Sequence, residues 1–189
     1  MMKGTHGTCS SNADSIKING FRYSNIGLRG GGVYFWGYTL DELETYAREL
    51  AIAWWRFAKK RGDYAKVTKQ NCSVIFAYLN VDSQDMLDFE NQQVREKFVV
   101  YSQKIYERIK EKDKHETDST IISVIYDMFI SDIEKTIGKT FSMIHVKIPA
   151  PNTYKKALPI DLTGQPSCYV IKNLKCIEIT QFEEINDEQ

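Results

Sequence analysis

The first forty-six residues hold the pattern that most constrains the fold of this 189-residue chain. A short β-type run from Lys3 to Cys9 is followed by a short helical segment, Asn12 to Asn19, which Gly20 ends. Glycine is common just beyond a helix because it adopts positive φ without strain. A glycine run, Gly30 to Gly32, then leads into a second β-type run, Val33 to Trp36. A strand, a short helix and a second strand are therefore expected in close succession.

Helical spacing of apolar residues dominates the middle of the chain. Thr39 and Glu42 form the sequence pattern of a capping box, and the helix behind them is expected to end at Gly62. Two more helices are predicted at Glu90 to Lys112 and at Thr117 to Ile133. Further strands are predicted at Ser73 to Leu79, Phe141 to Ile148, Ser167 to Lys172 and Lys175 to Thr180. Strands at both ends with helices between them indicate an α+β fold.

The length suits one domain with a substantial core. We predict a single domain over residues 1–182, with a helical insertion at about 90–138 and a charged, frayed tail at 183–189. All four prolines fall in a long loop between Pro149 and Pro166. No G-x-G-x-x-G motif opens a βαβ unit, so a Rossmann domain is not supported.

Composition limits the partners and cofactors that are expected for this chain. The 25 basic and 25 acidic residues cancel, so net charge gives no indication of nucleic-acid binding. No apolar run approaches the roughly 20 residues that cross a bilayer, and the first residues lack the apolar core of a secretion signal. The four cysteines show no zinc-ligand spacing. These features predict a cytoplasmic protein with reduced thiols, no metal and no membrane partner.

Four segments near the start occur in an order that is typical of one enzyme family. They are Thr5-His6-Gly7-Thr8, Asn12-Ala13-Asp14-Ser15-Ile16, Asn19-Gly20-Phe21 and Gly30-Gly31-Gly32-Val33-Tyr34-Phe35-Trp36. This order resembles the opening of the ADP-ribosyltransferases of the diphtheria-toxin and poly(ADP-ribose) polymerase type, in particular a small bacterial toxin-like member. The resemblance implies a split β-sheet core with inserted helices, and NAD bound as co-substrate between two strands.

The resemblance also implies roles for individual residues. His6 matches the histidine that hydrogen-bonds the nicotinamide ribose, and Gly7 the glycine whose backbone holds the carboxamide. Thr8 matches the small hydroxyl residue that follows. Tyr34 and Tyr46 match the two rings that enclose nicotinamide, whose cationic ring favours aromatic faces.

The sequence departs from the family at its third conserved position, a glutamate at the start of a late strand. The hydrophobic pattern places Cys168 there, and a small shift places Gln165 there instead, where it would orient the ribose. A carboxylate from the preceding loop, Asp161 being nearest, is a further candidate. A cysteine nucleophile has no support, because no histidine has a suitable sequence context.

The resemblance implies an intracellular mono-ADP-ribosyltransferase that releases nicotinamide, acting as a toxin in a toxin–antitoxin or phage-defence setting with an antitoxin protein as partner. Basic and aromatic residues occur together in Trp54 to Arg61 and in Asn152 to Lys156. This mixture makes RNA or single-stranded DNA the first candidate for the acceptor and leaves a protein as the second.

Three alternatives stay open. One is a non-catalytic module of the same fold that binds NAD or nucleic acid, because Cys168 replaces a carboxylate. The others are an NAD glycohydrolase and an RNA 2′-phosphotransferase. The phosphotransferase requires arginine and histidine pairs, whereas only Arg29 lies close to the motif and His115 and His145 lie outside it.

Overall fold

The computed structural model describes residues 1–112, 117–154 and 164–185. Seven strands form one mixed sheet in the order β4-β5-β6-β2-β1-β3-β7, in which β4 and β5 are parallel and the other neighbours are antiparallel. The strands are β1 Met2–Cys9, β2 Val33–Tyr38, β3 Cys72–Leu79, β4 Met86–Asp88, β5 Met143–Lys147, β6 Ser167–Ile171 and β7 Ile177–Ile185. The helices are α1 Ser10–Asn19, α2 Glu44–Arg61, α3 Gln92–Lys112 and α4 Asp118–Ile137. The α+β class is thereby confirmed.

The start of α2 differs from the prediction. A 3₁₀ turn, Asp41–Leu43, precedes the helix, and Leu43 is the N-cap residue without a side-chain hydrogen bond. The capping box predicted for Thr39 and Glu42 is therefore wrong, since both residues lie before the α-helical turn that they would have capped. The predicted end is right, because Gly62 adopts the left-handed conformation there with φ +87°.

The carboxyl-terminal strand is longer than predicted. Residues 183–185, expected to begin a frayed tail, extend β7 and pair with β3. Arg48 of α2 donates two hydrogen bonds to the carboxylate of Glu183, at 2.8 and 2.7 Å. The hydroxyl of Ser10 donates to Glu184 at 2.7 Å. These partners explain why a charged sequence remains in the sheet; residues 186–189 lie outside the described residues.

Strand β4 was not predicted, because three residues are too few to show an alternating pattern. The charged segment 110–118 lies partly outside the described residues. Helix α4 begins one residue after its N-cap Thr117, whose hydroxyl oxygen accepts from the Thr120 N–H. Within the described part of the chain, no helix is both long and apolar enough to cross a membrane.

The sheet opens between β1 and β2. These strands pair over only three positions, from Lys3 opposite Tyr38 to Thr5 opposite Trp36. Beyond that point β1 continues to Cys9 paired with β3, whereas the first part of β2 is paired with β6. His6 to Cys9 and Val33 to Phe35 therefore face a gap in the hydrogen-bond ladder, here called the β1–β2 opening.

Helix α2 covers one face of the sheet beside this opening. The hydroxyl of Thr5 donates to the carbonyl oxygen of Ala47 at 2.7 Å. A Cβ atom at Gly7 would lie 1.9 Å from the carbonyl oxygen of Ala51, so only glycine permits this approach. The buried Trp55 and Leu50 of the same helix complete the contact with the larger of two apolar clusters.

Candidate functional site

His6 bridges the β1–β2 opening. Its Nδ1 lies 2.9 Å from the backbone oxygen of Tyr34, across the gap in the ladder. Burial lowers the pKa of His6, and the hydrogen bond to Tyr34 offsets this only in part. A carbonyl oxygen only accepts, so Nδ1 carries the proton and, in the neutral ring, Nε2 is left with a free lone pair. The arrangement sets one tautomer and provides an acceptor.

The ring of His6 packs against two phenylalanines. Phe21 lies edge-on, with ring centroids 5.2 Å apart, and Phe35 lies at 5.8 Å. Both phenylalanines belong to or pack against the smaller apolar cluster, on the face away from α2. These contacts hold the imidazole plane so that its orientation does not depend on the hydrogen bond alone.

Tyr34 lies on the face of the sheet that α2 covers, and its hydroxyl holds the loop of the glycine run in place. Its hydroxyl donates to the backbone oxygen of Gly30 at 2.6 Å and accepts from the Arg29 N–H at 2.7 Å. Burial raises the pKa of Tyr34, so the phenol keeps its proton at neutral pH. A Cβ atom at Gly27 would lie 2.5 Å from the Tyr34 ring and hydroxyl. The loop thus folds over this ring.

A carboxylate on α4 holds the same loop from outside. Asp127 accepts the Gly31 N–H with both oxygens at 3.1 Å and forms an ion pair with Lys172 at 3.1 Å. Gly30 has φ +90°, and a Cβ atom there would lie 2.6 Å from the Asp127 carboxylate. Glycine is required at this position by both conformation and space. The helical insertion therefore shapes the loop that carries Arg29.

Arg29 has an unsatisfied donor. Its guanidinium carbon lies 5.3 Å from the centre of the Tyr126 ring, and Nη1 donates to its neighbour's carbonyl. The Nε atom is buried and has no hydrogen-bond partner in the described structure. A buried, unpaired guanidinium donor is costly unless a ligand satisfies it. The positive charge also lies close enough to Cys168 to lower the pKa of that thiol against the dominant effect of burial.

The remaining residues predicted on β1 are buried beside the opening. Thr8 accepts a hydrogen bond from the Asn12 amide at 3.3 Å. Gly7 is enclosed by α2, as described above. Both predicted positions therefore lie next to His6, and the backbone of α2 comes closest to β1 at Gly7.

Tyr46 is not stacked on Tyr34. Its ring meets Tyr154 edge-on, with centroids 5.9 Å apart. Tyr154 belongs to the segment after β5, which is attached to α2 by a hydrogen bond from the Thr153 hydroxyl to the Ala53 carbonyl. The second aromatic ring of the predicted pair is thus in contact with the loop that follows β5.

Cys168 is buried in β6, opposite Trp36 of β2. Burial raises the pKa of its thiol to about 12. At neutral pH the group is a protonated thiol and provides neither a general base nor a nucleophile. Cys168, one of the two positions predicted to correspond to the glutamate of the ADP-ribosyltransferases, therefore holds an uncharged side chain.

Gln165 is not among the residues that border the β1–β2 opening. It is exposed and lines a pocket of about 330 Å³ together with Arg95, Tyr126 and Lys147. Tyr126 is shared between this pocket and the Arg29 contact, which places the two sites side by side. A second pocket, of about 460 Å³, lies between α3 and α4. Asp161 lies outside the described residues.

A second polar constellation, absent from the sequence predictions, spans β4, β5 and β6. His145 Nδ1 lies 2.8 Å from an Asp88 oxygen, and His145 Nε2 lies 3.2 Å from the Ser167 hydroxyl. Asp88 also accepts the Glu90 N–H at 2.9 Å, which orients the carboxylate. The three side chains form an Asp–His–Ser chain of hydrogen bonds. Sequence spacing gave no signal for it, because the residues are 57 and 22 positions apart.

The sequence also predicted no role for Asp127 or Lys172. The one available signal was an acidic residue within the apolar stretch Ile121 to Ile130 of α4. No group of three or more His, Cys, Asp or Glu side chains among the described residues is arranged to hold a metal ion.

The raised pKa of Cys168 predicts its reactivity. With a pKa of about 12, roughly one thiol in ten thousand is ionised at pH 8, and the side chain is also buried. Brief treatment of the folded protein with iodoacetamide at pH 8 should modify Cys176, which is partly exposed, and leave Cys168 intact. Peptide mass spectrometry with and without urea measures both; rapid labelling of Cys168 in the folded protein would contradict this assignment.

Comparison with protein-family models, with curated proteins and with solved structures finds no significant match for this chain.

Proposed function

We propose that this chain is an NAD-dependent mono-ADP-ribosyltransferase whose nicotinamide-ribose site is the β1–β2 opening. The observation that carries the proposal is the hydrogen bond between His6 Nδ1 and the Tyr34 carbonyl, which leaves Nε2 as an acceptor at a gap in the sheet. A ribose hydroxyl is a suitable donor for that atom.

The reaction breaks the bond between nicotinamide and ribose through an oxocarbenium-like transition state, as in glycoside cleavage. Its main demands are orientation of the ribose and stabilisation of charge. His6 orients the ribose, and the β1 backbone at Gly7, which borders the opening, pairs with the carboxamide. Arg29, whose Nε has no partner among the described residues, fits one of the NAD phosphates.

Among the described residues, no carboxylate acts as base in this proposal. The Cys168 thiol is neutral, and Gln165 lies in the neighbouring pocket. The ribose is therefore held by hydrogen bonds alone, and the acceptor provides the nucleophile and loses its proton to solvent or to a phosphate oxygen. A lower rate than that of a site with a glutamate is the expected consequence.

The proposal predicts different effects for two substitutions. His6→Ala should lower the rate of nicotinamide release by about 100-fold, the usual cost of losing a group that positions the reacting atoms. Tyr34→Phe keeps the ring but removes both hydrogen bonds to the loop, so a loss of about 10-fold is expected. Release is measured by chromatography after incubation with NAD.

Tyr106→Phe is the matched control, because it removes a hydroxyl that bonds Asp118 on the surface. Its release rate should equal that of the unaltered protein. Full activity in the folded His6→Ala protein would refute the proposed site. Saturable NAD binding with no nicotinamide release would instead identify a non-catalytic NAD-binding module.

The Asp88–His145–Ser167 chain favours a second candidate function, acyl transfer from an ester. In that reaction Ser167 Oγ attacks the ester carbonyl while its proton passes to His145 Nε2. The protonated imidazole, held by Asp88, then gives the proton to the leaving alcohol, and water hydrolyses the acyl-serine by the same path.

A fluorophosphonate probe tests the second candidate directly. If Ser167 is activated, the probe should attach to it with loss of fluoride, and His145→Gln should slow labelling by about 100-fold. Ser102, whose hydroxyl bonds a helix carbonyl, is the internal control and should stay unmodified. An intact protein without Ser167 labelling would show that the chain of hydrogen bonds is structural.

A further inference from the structure

Positive charge is concentrated at the end of α2 and in the turn that follows it. Residues 56–69 contain six lysines and arginines but a single acidic residue, Asp63. The whole chain has 25 basic and 25 acidic residues. The neutral total therefore conceals a strongly basic segment, balanced by a net negative charge over the rest of the molecule.

Two aromatic rings lie within this basic segment. The rings of Trp54 and Phe57 are half-buried and tilted by 39°, with centroids 5.6 Å apart. The guanidinium of Arg61 lies over both rings, 5.9 Å from the centre of Trp54 and 5.2 Å from that of Phe57. We call these three residues, with Arg56, Lys60 and Lys66, the α2 platform.

Few of the platform's cations are neutralised. Arg61 pairs with Asp63, the single acidic residue of the segment. Arg56, Lys60 and Lys66 are exposed and form no hydrogen bond or ion pair within the described residues. Three exposed cations in the same segment as the two rings therefore remain available to a ligand.

The platform lies on the same edge of α2 as Tyr46. Tyr46, Ala53 and Phe57 are separated by seven and four residues, so they lie close to one line along the helix. Ala53 is the residue whose carbonyl accepts the Thr153 hydroxyl beside Tyr46 and Tyr154. At 1.5 Å per residue, Phe57 lies about 17 Å from Tyr46 along the helix axis.

We propose that the α2 platform binds single-stranded nucleic acid. Arg56, Lys60 and Lys66 contact phosphates, and an unpaired base stacks against the Trp54–Phe57 pair beside Arg61. Binding itself does not require the proposed transferase activity. The role of the bound strand as the ADP-ribose acceptor does rest on that activity.

The aromatic pair favours a single strand over other polyanions. In a duplex the base faces are already stacked, so only the phosphates would be recognised. An acidic peptide or an anionic membrane would use the cations but would gain little from two rings held side by side on a helix. The test therefore has to separate the charge contribution from the stacking contribution.

Fluorescence polarisation with labelled 16-nucleotide RNA, single-stranded DNA and duplex DNA, without NAD, provides this test. The single strands should bind at least about tenfold more tightly than the duplex, and binding should weaken steeply as salt rises. Phe57→Leu, which keeps apolar packing but removes the ring, should weaken single-strand binding by about fivefold and leave the salt dependence unchanged.

Charge reversal provides the matched comparison. Arg56→Glu with Lys60→Glu should weaken binding by at least about tenfold. Lys104→Glu with Arg108→Glu, two exposed positions on α3 with the same change in net charge, should alter it less than threefold. Equal losses in both pairs, or equal affinity for duplex and single strand, would overturn the proposal, as would an absence of binding at low salt.

A second readout separates this proposal from the transferase function. If nicotinamide is released but no oligonucleotide binds, the platform assignment is wrong and the catalytic assignment stands. If oligonucleotides bind through the platform and no nicotinamide is released, the platform stands alone. Transfer of labelled ADP-ribose to protein in a cell extract, without oligonucleotide binding, would identify a protein acceptor instead.

Discussion

The close contact between α2 and β1 is the constraint on which the rest of the site depends. A side chain at Gly7 would meet the Ala51 carbonyl oxygen at 1.9 Å, so the helix can lie on the strand only because glycine is there. The Thr5 hydroxyl fixes the same contact through Ala47. Because α2 is held this close to β1, Tyr46 on one edge of the helix contacts the loop after β5. The carboxyl-terminal end of the helix carries the basic and aromatic residues at the surface.

The opening between β1 and β2 follows from how the strands share their partners. Beyond the Thr5–Trp36 pair, β1 is paired with β3 alone and β2 with β6 alone, and His6 joins the two sides through the Tyr34 carbonyl. The same Tyr34 holds the glycine run on the other face of the sheet, where Asp127 holds it from α4. The helical insertion is therefore coupled to the proposed nicotinamide site through backbone hydrogen bonds to one loop.

Local signals in the sequence were sufficient for most of the secondary structure. Gly62 ends α2 by its positive φ, as predicted, because helix ends depend on neighbouring residues. The predictions were wrong where contacts with residues distant in the sequence determine the local structure. Arg48 and Ser10 keep Glu183 and Glu184 in the sheet, and a tail of charged residues shows nothing of such partners. The order of short segments near the start predicted that His6, Gly7 and Tyr34 lie near one another. Asp127 and the chain from Asp88 through His145 to Ser167 depend on contacts between distant residues, so no local pattern indicated them.

The most direct test of the account is nitrogen NMR of the histidine rings, since the chain has only three histidines and His6→Ala identifies the relevant signals. We expect His6 to be neutral with its proton on Nδ1 and, because burial lowers its pKa, to take up a second proton only below the ordinary value of 6.5. We also expect NAD to shift the His6 Nε2 resonance and to leave the His145 resonances in place. A His6 ring that titrates near 6.5 and does not respond to saturating NAD would contradict the proposed nicotinamide-ribose site.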